Sequence, residues 1–194
     1  MTTIKEKIYL KVKSIIEKWN EQDIYAISFF VESGQATEYN GEIIPYFAIS
    51  YNTEKECGGA SKYSEERWNY AFWLQNENPI IDAENPTGLE EDLLAWYKEK
   101  GVENLGEEDD DCYDRFFRYI GKGPNGHYEL LTLISEVALQ LQQEGFIEKH
   151  FGKKLPIIVH GLEYAWYDME ATKKANLNGE ADIFIKAAKK NGFC

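Results

Sequence analysis

The longest run of helically spaced hydrophobic residues in the chain lies at residues 126–144. Leu130, Ile134 and Leu141 recur at spacings of three and four, which places them on one face of a helix. Apolar neighbours such as Leu133 widen that face beyond half of the circumference, and such a helix packs against partners on several sides. We therefore expect a buried central helix around which the rest of the fold is arranged.

The boundaries of this helix are marked by local signals. Asn125 is suited to cap the free N–H groups of the first turn, and Gly145 is suited to a left-handed stop. The glycine-rich stretch 121–126 could offer N–H groups to a phosphate, but it lacks the P-loop spacing and follows a predicted helix. A plain turn between two helices explains the same glycines.

Other segments also have helical features. Residues 3–19 carry an apolar stripe behind a capping box formed by Thr3 and Glu6. A second capping box at Thr87 and Glu90 begins a helix that should end at Gly101. Charges, boundaries and apolar spacing predict three more helices, at residues 113–120, 168–175 and 180–190.

Three segments have the features of strands. Residues 23–32 and 43–53 alternate apolar and polar positions, and the connection between them contains Asn40-Gly41, which suits an antiparallel hairpin. The continuous apolar run at 155–160 predicts an interior strand. In the first strand, one face is predicted to hold Tyr25, Ile27, Phe29 and Val31.

Residues 64–75 fit a helix and a strand almost equally well. A helix is favoured because Ser64 can cap it and acids occupy the first turn. Trp68 and Trp73 in this segment are explained by core packing, and the alternative is a platform on which a ligand stacks.

The order of these elements predicts a single α+β domain over residues 1–194. We expect a small, mainly antiparallel or mixed sheet, packed by several helices around the central helix at about 126–144. A chain of 194 residues with 43% hydrophobic residues is long enough to form one substantial core.

Composition limits the classes of protein to consider. No run of eighteen apolar residues occurs, and charges interrupt the N-terminal segment, so we expect a cytoplasmic protein without a membrane span. Cys57, Cys112 and Cys194 are far apart and form no metal-binding spacing, which argues against structural zinc and a disulfide framework. We expect neither a metal nor a cofactor, and composition leaves the oligomeric state open.

The net charge of −13 is concentrated in one third of the chain. Residues 63–114 carry 16 acids and 3 bases, whereas the flanking segments nearly cancel. Six carboxylates fall within eight residues at Glu107, Glu108, Asp109, Asp110, Asp111 and Asp114. Nucleic acid is excluded as a ligand of this face, because phosphates require Lys and Arg. Two interpretations stay open: a solvated acidic loop that aids solubility, and a docking face for a basic protein.

Candidate catalytic chemistry is confined to one place. His160 lies at the end of the predicted third strand, with Glu163 three residues later, and an imidazole beside a carboxylate is suited to acid–base catalysis. Trp68 and Trp73 could complete a pocket there. The competing interpretation is a histidine satisfied by local hydrogen bonds.

Four motifs along the chain carry a resemblance to a known family. They are Asp23-Ile-Tyr-Ala-Ile-Ser-Phe29, Arg67-Trp68, Val159-His-Gly-Leu-Glu-Tyr164 and Thr172-Lys-Lys-Ala-Asn176. Over most of its length, the chain resembles the bacterial family called domain of unknown function 4303. None of the motifs has an assigned chemistry. Members of this family are similar in size and layout to immunity proteins of bacterial toxin systems, so the resemblance implies binding and neutralisation of a toxin.

Charge, missing motifs and resemblance together favour a non-catalytic protein-binding module. Its most specific form is an immunity protein that neutralises a basic toxin, because an acidic surface accelerates docking to a basic partner. The alternatives are an uncharacterised enzyme that uses His160 and Glu163, and a regulatory partner protein unconnected with toxins.

Overall fold

The computed structural model describes residues 2–33, 38–108 and 112–193. Within these ranges, seven α-helices, a mixed four-stranded sheet and a two-stranded ribbon form one compact α+β fold, as predicted. The elements in chain order are α1 (Ile4–Ile16), β1 (Ile24–Glu32), β2 (Glu38–Tyr39), β3 (Glu42–Ile43), β4 (Tyr46–Thr53), α2 (Glu65–Trp68), a 3-10 turn (Tyr70–Phe72), β5 (Asn78–Ile81), α3 (Glu90–Lys100), α4 (His127–Gln143), α5 (Phe146–Phe151), β6 (Ile157–His160), α6 (Trp166–Ala175) and α7 (Asp182–Asn191).

The four strands lie in the order β5-β4-β1-β6. Strand β4 runs antiparallel to β1 and to β5, whereas β6 runs parallel to β1. The predicted hairpin is therefore confirmed. The prediction of an interior position for β6 was wrong: within the described ranges its only strand partner is β1.

Helix α6 takes the place of a further strand beside β6. The Thr172 hydroxyl lies 2.9 Å from both the backbone nitrogen and the carbonyl oxygen of Val159. The side-chain amide of Asn176 accepts from the backbone N–H of Ile157 at 3.0 Å and donates to its carbonyl at 2.7 Å. These two residues are one helical turn apart, so one face of α6 satisfies the outer backbone groups of the strand. The apolar run of β6 is thus buried although it is an edge strand.

The sheet separates two hydrophobic clusters. Ile27 and Phe29 of β1 face the larger one, which includes α1, α3 and α4, while Ala26 and Phe30 face the other. Tyr25 was predicted on the face of Ile27, but it belongs to the opposite cluster. A register shift between Ile24 and Ala26 interrupts the alternation there, as a β-bulge does.

Helix α4 is the buried central helix that the sequence predicted. Its apolar face is fully buried at Leu130, Ile134, Val137 and Leu141. The predicted cap at Asn125 was wrong, since Gly126 is the N-cap, with a φ of 89°. A Cβ on Gly126 would lie 2.7 Å from Leu105 and 3.1 Å from Tyr97, so close packing restricts this position to glycine.

Two further helix starts illustrate how carboxylates satisfy backbone N–H groups. Thr3 and Glu6 form the predicted capping box of α1. At α3, the Glu90 carboxylate accepts instead from the backbone N–H groups of Thr87 at 2.8 Å, Gly88 at 2.8 Å and Leu89 at 3.0 Å. The helix therefore begins later than the Thr87 signal predicted.

Residues 113–120 are not helical, contrary to prediction. The Asp114 carboxylate accepts from the backbone N–H groups of Phe116 at 2.8 Å and Arg118 at 3.0 Å. Phe117 has a φ of 59°, and Tyr113 and Tyr119 form an isolated antiparallel bridge. A side chain that binds the nearby backbone competes with helix formation. The segment is therefore a tight turn.

Residues 64–81 were only partly predicted. The favoured helix is limited to one turn at α2, followed by the 3-10 turn, and Ser64 makes no side-chain cap. Strand β5 was not predicted. None of the described helices is both long and apolar enough to cross a bilayer.

Candidate functional site

The parallel strands β1 and β6 end at the same edge of the sheet. Phe30 lies opposite His160, so Glu32, Ser33 and Gly161 follow directly at this edge. The N-terminus of α4 and the first turn of α6 bring further polar side chains to it. We call Glu32, Ser33, His127, Tyr167 and Asp168 the carboxyl-end cluster. The carboxyl ends of parallel strands are common positions for binding sites.

A buried hydrogen bond joins two members of this cluster. The Ser33 hydroxyl lies 2.6 Å from Nδ1 of His127, and both side chains are almost fully buried. Burial lowers the pKa of His127 to about 4, so the ring is neutral at pH 7. The ring forms a T-shaped pair with Tyr167, with 5.4 Å between the ring centroids. This pair fixes the start of α4 against the end of β1.

Asp168 is the chemically unusual member of the cluster. Its side chain is only 1% exposed, and Oδ2 accepts from the backbone N–H of Ala165 at 2.8 Å. Oδ1 is buried and has no hydrogen-bond partner among the described residues. Burial raises the pKa of Asp168 to about 7, the amides of Ala165 and Gly161 oppose this rise, and Glu32 adds to it. The sequence indicated only an acid at a helix start.

Glu108 of the acidic run lies near this cluster. The Tyr119 hydroxyl donates to Oε1 of Glu108 at 3.1 Å and accepts from the backbone N–H of Gly123 at 3.0 Å. Burial raises the pKa of Tyr167, and the charges of Asp168, Tyr119, Glu108 and Glu32 raise it further. The Tyr167 hydroxyl is therefore protonated at neutral pH.

His160 is fully buried and locally satisfied. Nδ1 lies 2.8 Å from the carbonyl oxygen of Gly161 and therefore carries the proton, since a carbonyl only accepts. In the neutral ring, Nε2 accepts from the Ser28 hydroxyl at 2.8 Å. Burial lowers the pKa of His160 to about 4. Glu163, by contrast, is exposed, and no hydrogen bond or ion pair in the described ranges joins it to His160.

Trp68 and Trp73 lie with His160 in the smaller hydrophobic cluster. Trp73 is 6.5 Å from the His160 ring, and the Tyr25 ring lies 5.5 Å from Trp68 and 5.9 Å from Trp73. Both indole N–H groups donate to backbone carbonyls, of Lys62 and Arg67 respectively. Three of the four residues predicted to line a pocket therefore share a filled aromatic layer, and Glu163 lies outside it.

The predicted acidic docking residues lie at the surface where they are described. Glu107 and Glu108 are exposed, and the backbone of Glu107 accepts from the N–H of Asn125 at 2.8 Å. Asp114 forms an ion pair of 2.7 Å with Arg118. Asp109, Asp110 and Asp111 lie outside the described residues.

An exposed apolar surface adjoins the acidic run. Residues 113–120, here called the aromatic turn, expose large apolar side chains whose spacing had predicted a helix. Phe117 is 89% exposed, and the others are Tyr113, Phe116 and Ile120. The Trp166 indole donates to the carbonyl of Gly121 at 3.2 Å, which connects the end of this turn to α6 and the carboxyl-end cluster.

A separate recess lies elsewhere in the fold. A groove of about 740 Å³ between the start of α1 and helices α3 and α4 is lined by Trp96, Tyr128, Leu133, Lys5, Glu99 and Glu136 among others. Lys5 and Glu136 form an ion pair of 3.2 Å across it. It contains none of the residues that the sequence predicted as a site.

No metal centre is formed by the described residues: no three of their His, Cys, Asp or Glu side chains are placed to hold one ion. The resemblance stated from the sequence motifs stays a prediction. Comparison of the chain with protein-family models, with curated proteins and with solved structures gives no significant match.

Proposed function

We propose that the chain is a protein-binding module whose docking surface combines the aromatic turn with the acidic run. The observation that carries this proposal is the exposure of the aromatic turn, where Phe117 is 89% and Phe116 is 61% exposed. Clustered exposed apolar side chains on a soluble protein are typical of interaction sites. Covering each of these rings would contribute about 1.5–3 kcal/mol to association.

The aromatic turn is held in place before any partner binds. The Asp114 carboxylate accepts from two backbone N–H groups and pairs with Arg118, and the backbone of Ile120 donates to Cys112 at 2.8 Å. Less conformational entropy is lost when a preformed loop binds. This supports docking through the turn as it stands.

The charge beside the turn favours a basic partner. Glu107 and Glu108 are exposed next to it, and they belong to the segment with 16 acids and 3 bases. A negative potential raises the encounter rate with a positively charged protein. Neutralisation of a basic toxin is the most specific form of this proposal, and it rests on the resemblance stated above.

The enzyme alternative has less support from the site geometry. Both ring nitrogens of His160 are within 2.8 Å of internal partners, and the ring is fully buried. A general acid or base has to reach the proton that it transfers. Glu163, its predicted partner, has no contact with the ring that would orient it.

The test is capture of a partner from native-host lysate, followed by affinity measurements with the purified partner. The double variant Phe116→Ser/Phe117→Ser should weaken the affinity by roughly tenfold or more, as expected for loss of central aromatic anchors. The control is Leu177→Ser/Ile183→Ser, which changes two exposed apolar residues outside the turn. Equal affinities for wild type and the Phe variant would contradict the proposal, as would an acidic partner.

A further inference from the structure

We infer that the groove between the start of α1 and helices α3 and α4 binds a small organic cation, a primary amine carried on an apolar body. The groove shares no lining residue with the aromatic turn or with the acidic run. A ligand bound there is therefore a second function, beyond the proposed docking of a protein. The shape of the groove, its apolar lining and the charge on its rim support this assignment.

Two helical faces form opposite walls of the groove. Trp96, Glu99 and Lys100 lie within one turn of α3, and Glu129 and Leu133 lie one turn apart on α4. Side chains three or four positions apart share one face of a helix. The volume of about 740 Å³ between these walls falls in the range of roughly 300–1,000 Å³ that small-molecule sites have. A small ligand therefore fits between the helices.

The lining of the groove is apolar and aromatic below its rim. Ile4 and Leu133 line it although they are only 8% and 7% exposed, so they lie at its bottom. Trp96 and Tyr128 are half-buried and add two aromatic rings. Covering such surface with an apolar group is favourable, because the surface leaves water. The ligand should therefore carry a hydrocarbon or aromatic body.

The charge on the rim favours a cation over an anion. The lining contains four carboxylates and two ammonium groups. Asp92 and Glu136 already form ion pairs with lysines, at 2.6 and 3.2 Å, whereas none of the described ion pairs involves Glu99 or Glu129. Glu129 suits the first turn of α4, but Glu99 lies in the last turn of α3, where the helix dipole disfavours an acid. Helix stability therefore does not explain the position of Glu99.

The aromatic rings of the groove already attract ammonium groups of this chain. Nζ of Lys100 lies 6.0 Å from the centroid of the Trp96 ring, and Nζ of Lys122 lies 4.4 Å from that of Tyr128. A cation is drawn to the negative face of an aromatic ring. Lys100 is exposed and belongs to none of the described ion pairs, so a ligand displaces it without breaking one. The Lys100 ammonium thus stands where the ammonium of the ligand binds.

The experiment is a ¹H–¹⁵N NMR titration of the full chain with tryptamine at fixed ionic strength. The indole N–H signal of Trp96 should shift and saturate, because the amine binds beside this ring. Two probes of similar shape serve as controls: tryptophol, which is neutral, and indolepropionate, which is an anion. Both should bind severalfold more weakly than tryptamine, since neither provides a positive charge for the carboxylates of the groove.

Three variants test the roles of the charged residues. Glu99→Gln/Glu129→Gln should weaken tryptamine binding by about threefold or more, as expected for loss of partly exposed ion pairs. Lys100→Gln should strengthen it, because the variant removes the internal ammonium that competes for the Trp96 ring. The charge-matched control is Glu66→Gln/Glu84→Gln, at two exposed acids outside the groove, and its affinity should stay close to that of wild type.

Several outcomes would overturn the inference: no saturable shift of the Trp96 signal, equal binding of tryptamine and indolepropionate, or equal losses in the two Gln double variants. Weaker tryptamine binding by Lys100→Gln would also contradict it, since the lysine would then hold the ligand and would not compete with it. Thermal unfolding shows whether each variant is folded. These results are independent of the docking proposal, whose test depends on Phe116 and Phe117.

Discussion

Asp168, His127 and His160 are buried ionisable side chains whose pKa values shift in opposite directions. Burial raises the pKa of Asp168 to about 7 and lowers that of each histidine to about 4. The contribution of Asp168 to stability is full below its unfolded pKa of about 4 and is lost as the pH rises through 7. The two histidines contribute their full stability above a pH of about 6.5, where the rings are neutral. This stabilisation is lost as the pH falls through about 4. The two effects oppose each other between pH of about 4 and 6.5.

Asp168→Asn should isolate the contribution of the carboxylate. The substitution keeps an oxygen for the Ala165 N–H and removes the ionisation, so the variant gains stability relative to wild type as the pH rises. From pH 5 to pH 8 the difference in unfolding free energy should change by roughly 2–3 kcal/mol in favour of the variant. Urea unfolding at several pH values measures it.

A control for this experiment is Asp182→Asn, at an exposed carboxylate in the first turn of α7. Its stability difference from wild type should stay nearly constant over the same range, since an exposed acid is solvated in both states. A flat difference for Asp168→Asn as well would show that the Asp168 carboxylate has an ordinary pKa in the folded protein.

Among the secondary-structure elements, helix α6 and strand β6 depend on each other most directly. Asn176→Ala would leave the backbone N–H and carbonyl of Ile157 without their side-chain partner. Each unpaired buried polar group costs about 1–3 kcal/mol, so we expect a loss of roughly 2–5 kcal/mol. Hydrogen exchange of the Ile157 amide should accelerate together with this loss.

Lys173→Ala provides the matched control on the same helix, because Lys173 is exposed. It should change stability by less than about 0.5 kcal/mol, as expected for a surface substitution. The opposite result would be an Ile157 amide that is as well protected from hydrogen exchange in Asn176→Ala as in this control. That result would mean that another group pairs the edge of β6.

Long elements with regular spacing were predictable from the sequence, whereas positions controlled by tertiary contacts were not. Helices α1 and α4 and the β1–β4 hairpin follow from periodicity, since each buries one face. The helical spacing of Phe116 and Phe117 was misleading, because the Asp114 carboxylate captures two backbone N–H groups that a helix requires. Strand β5 spans only Asn78–Ile81 and contains Pro79, so its pattern is too short to recognise.

The candidate site was the least predictable part of the fold. His160 and Glu163 are close in sequence, but His160 lies at a buried strand end and Glu163 lies in an exposed loop. Asp168 becomes unusual only because α6 packs against β6 and α4, and burial raises the pKa of the carboxyl. Pairings such as Ser33 with His127 join residues 94 positions apart, and local sequence spacing contains no information about them. The motifs that carry the family resemblance include Arg67, His160, Thr172 and Asn176, all of which make internal hydrogen bonds here.

For the molecule as a whole, the uneven distribution of charge has a kinetic consequence. Neutralising Glu108, Asp109, Asp110 and Asp111 to Gln or Asn should slow association with a basic partner and flatten its dependence on salt, because steering acts through screened long-range charge. Stability should change little or rise, since neutralising like charges that are neighbours in sequence removes their mutual repulsion. Stopped-flow association rates at several salt concentrations measure the effect.

The control for this prediction removes the same number of charges elsewhere on the surface. The residues replaced by Gln are the exposed acids Glu17, Glu66, Glu84 and Glu148. Association should slow less than in the first variant, because these acids lie at scattered sites outside the acidic run. Identical rates for both variants would leave the acidic run with a role in solubility and none in docking.

Both edges of the main sheet are occupied by side chains. At β6, Thr172 and Asn176 bind the outer backbone groups, and at β5 the Ile80 carbonyl accepts from Lys11 at 3.2 Å and from Thr87. Among the described residues, these contacts occupy outer backbone groups of Ile157 and Val159 and the carbonyl of Ile80, so a further strand could pair there only by displacing the side chains. Side chains that bind a sheet edge in this way disfavour edge-to-edge growth into fibrils.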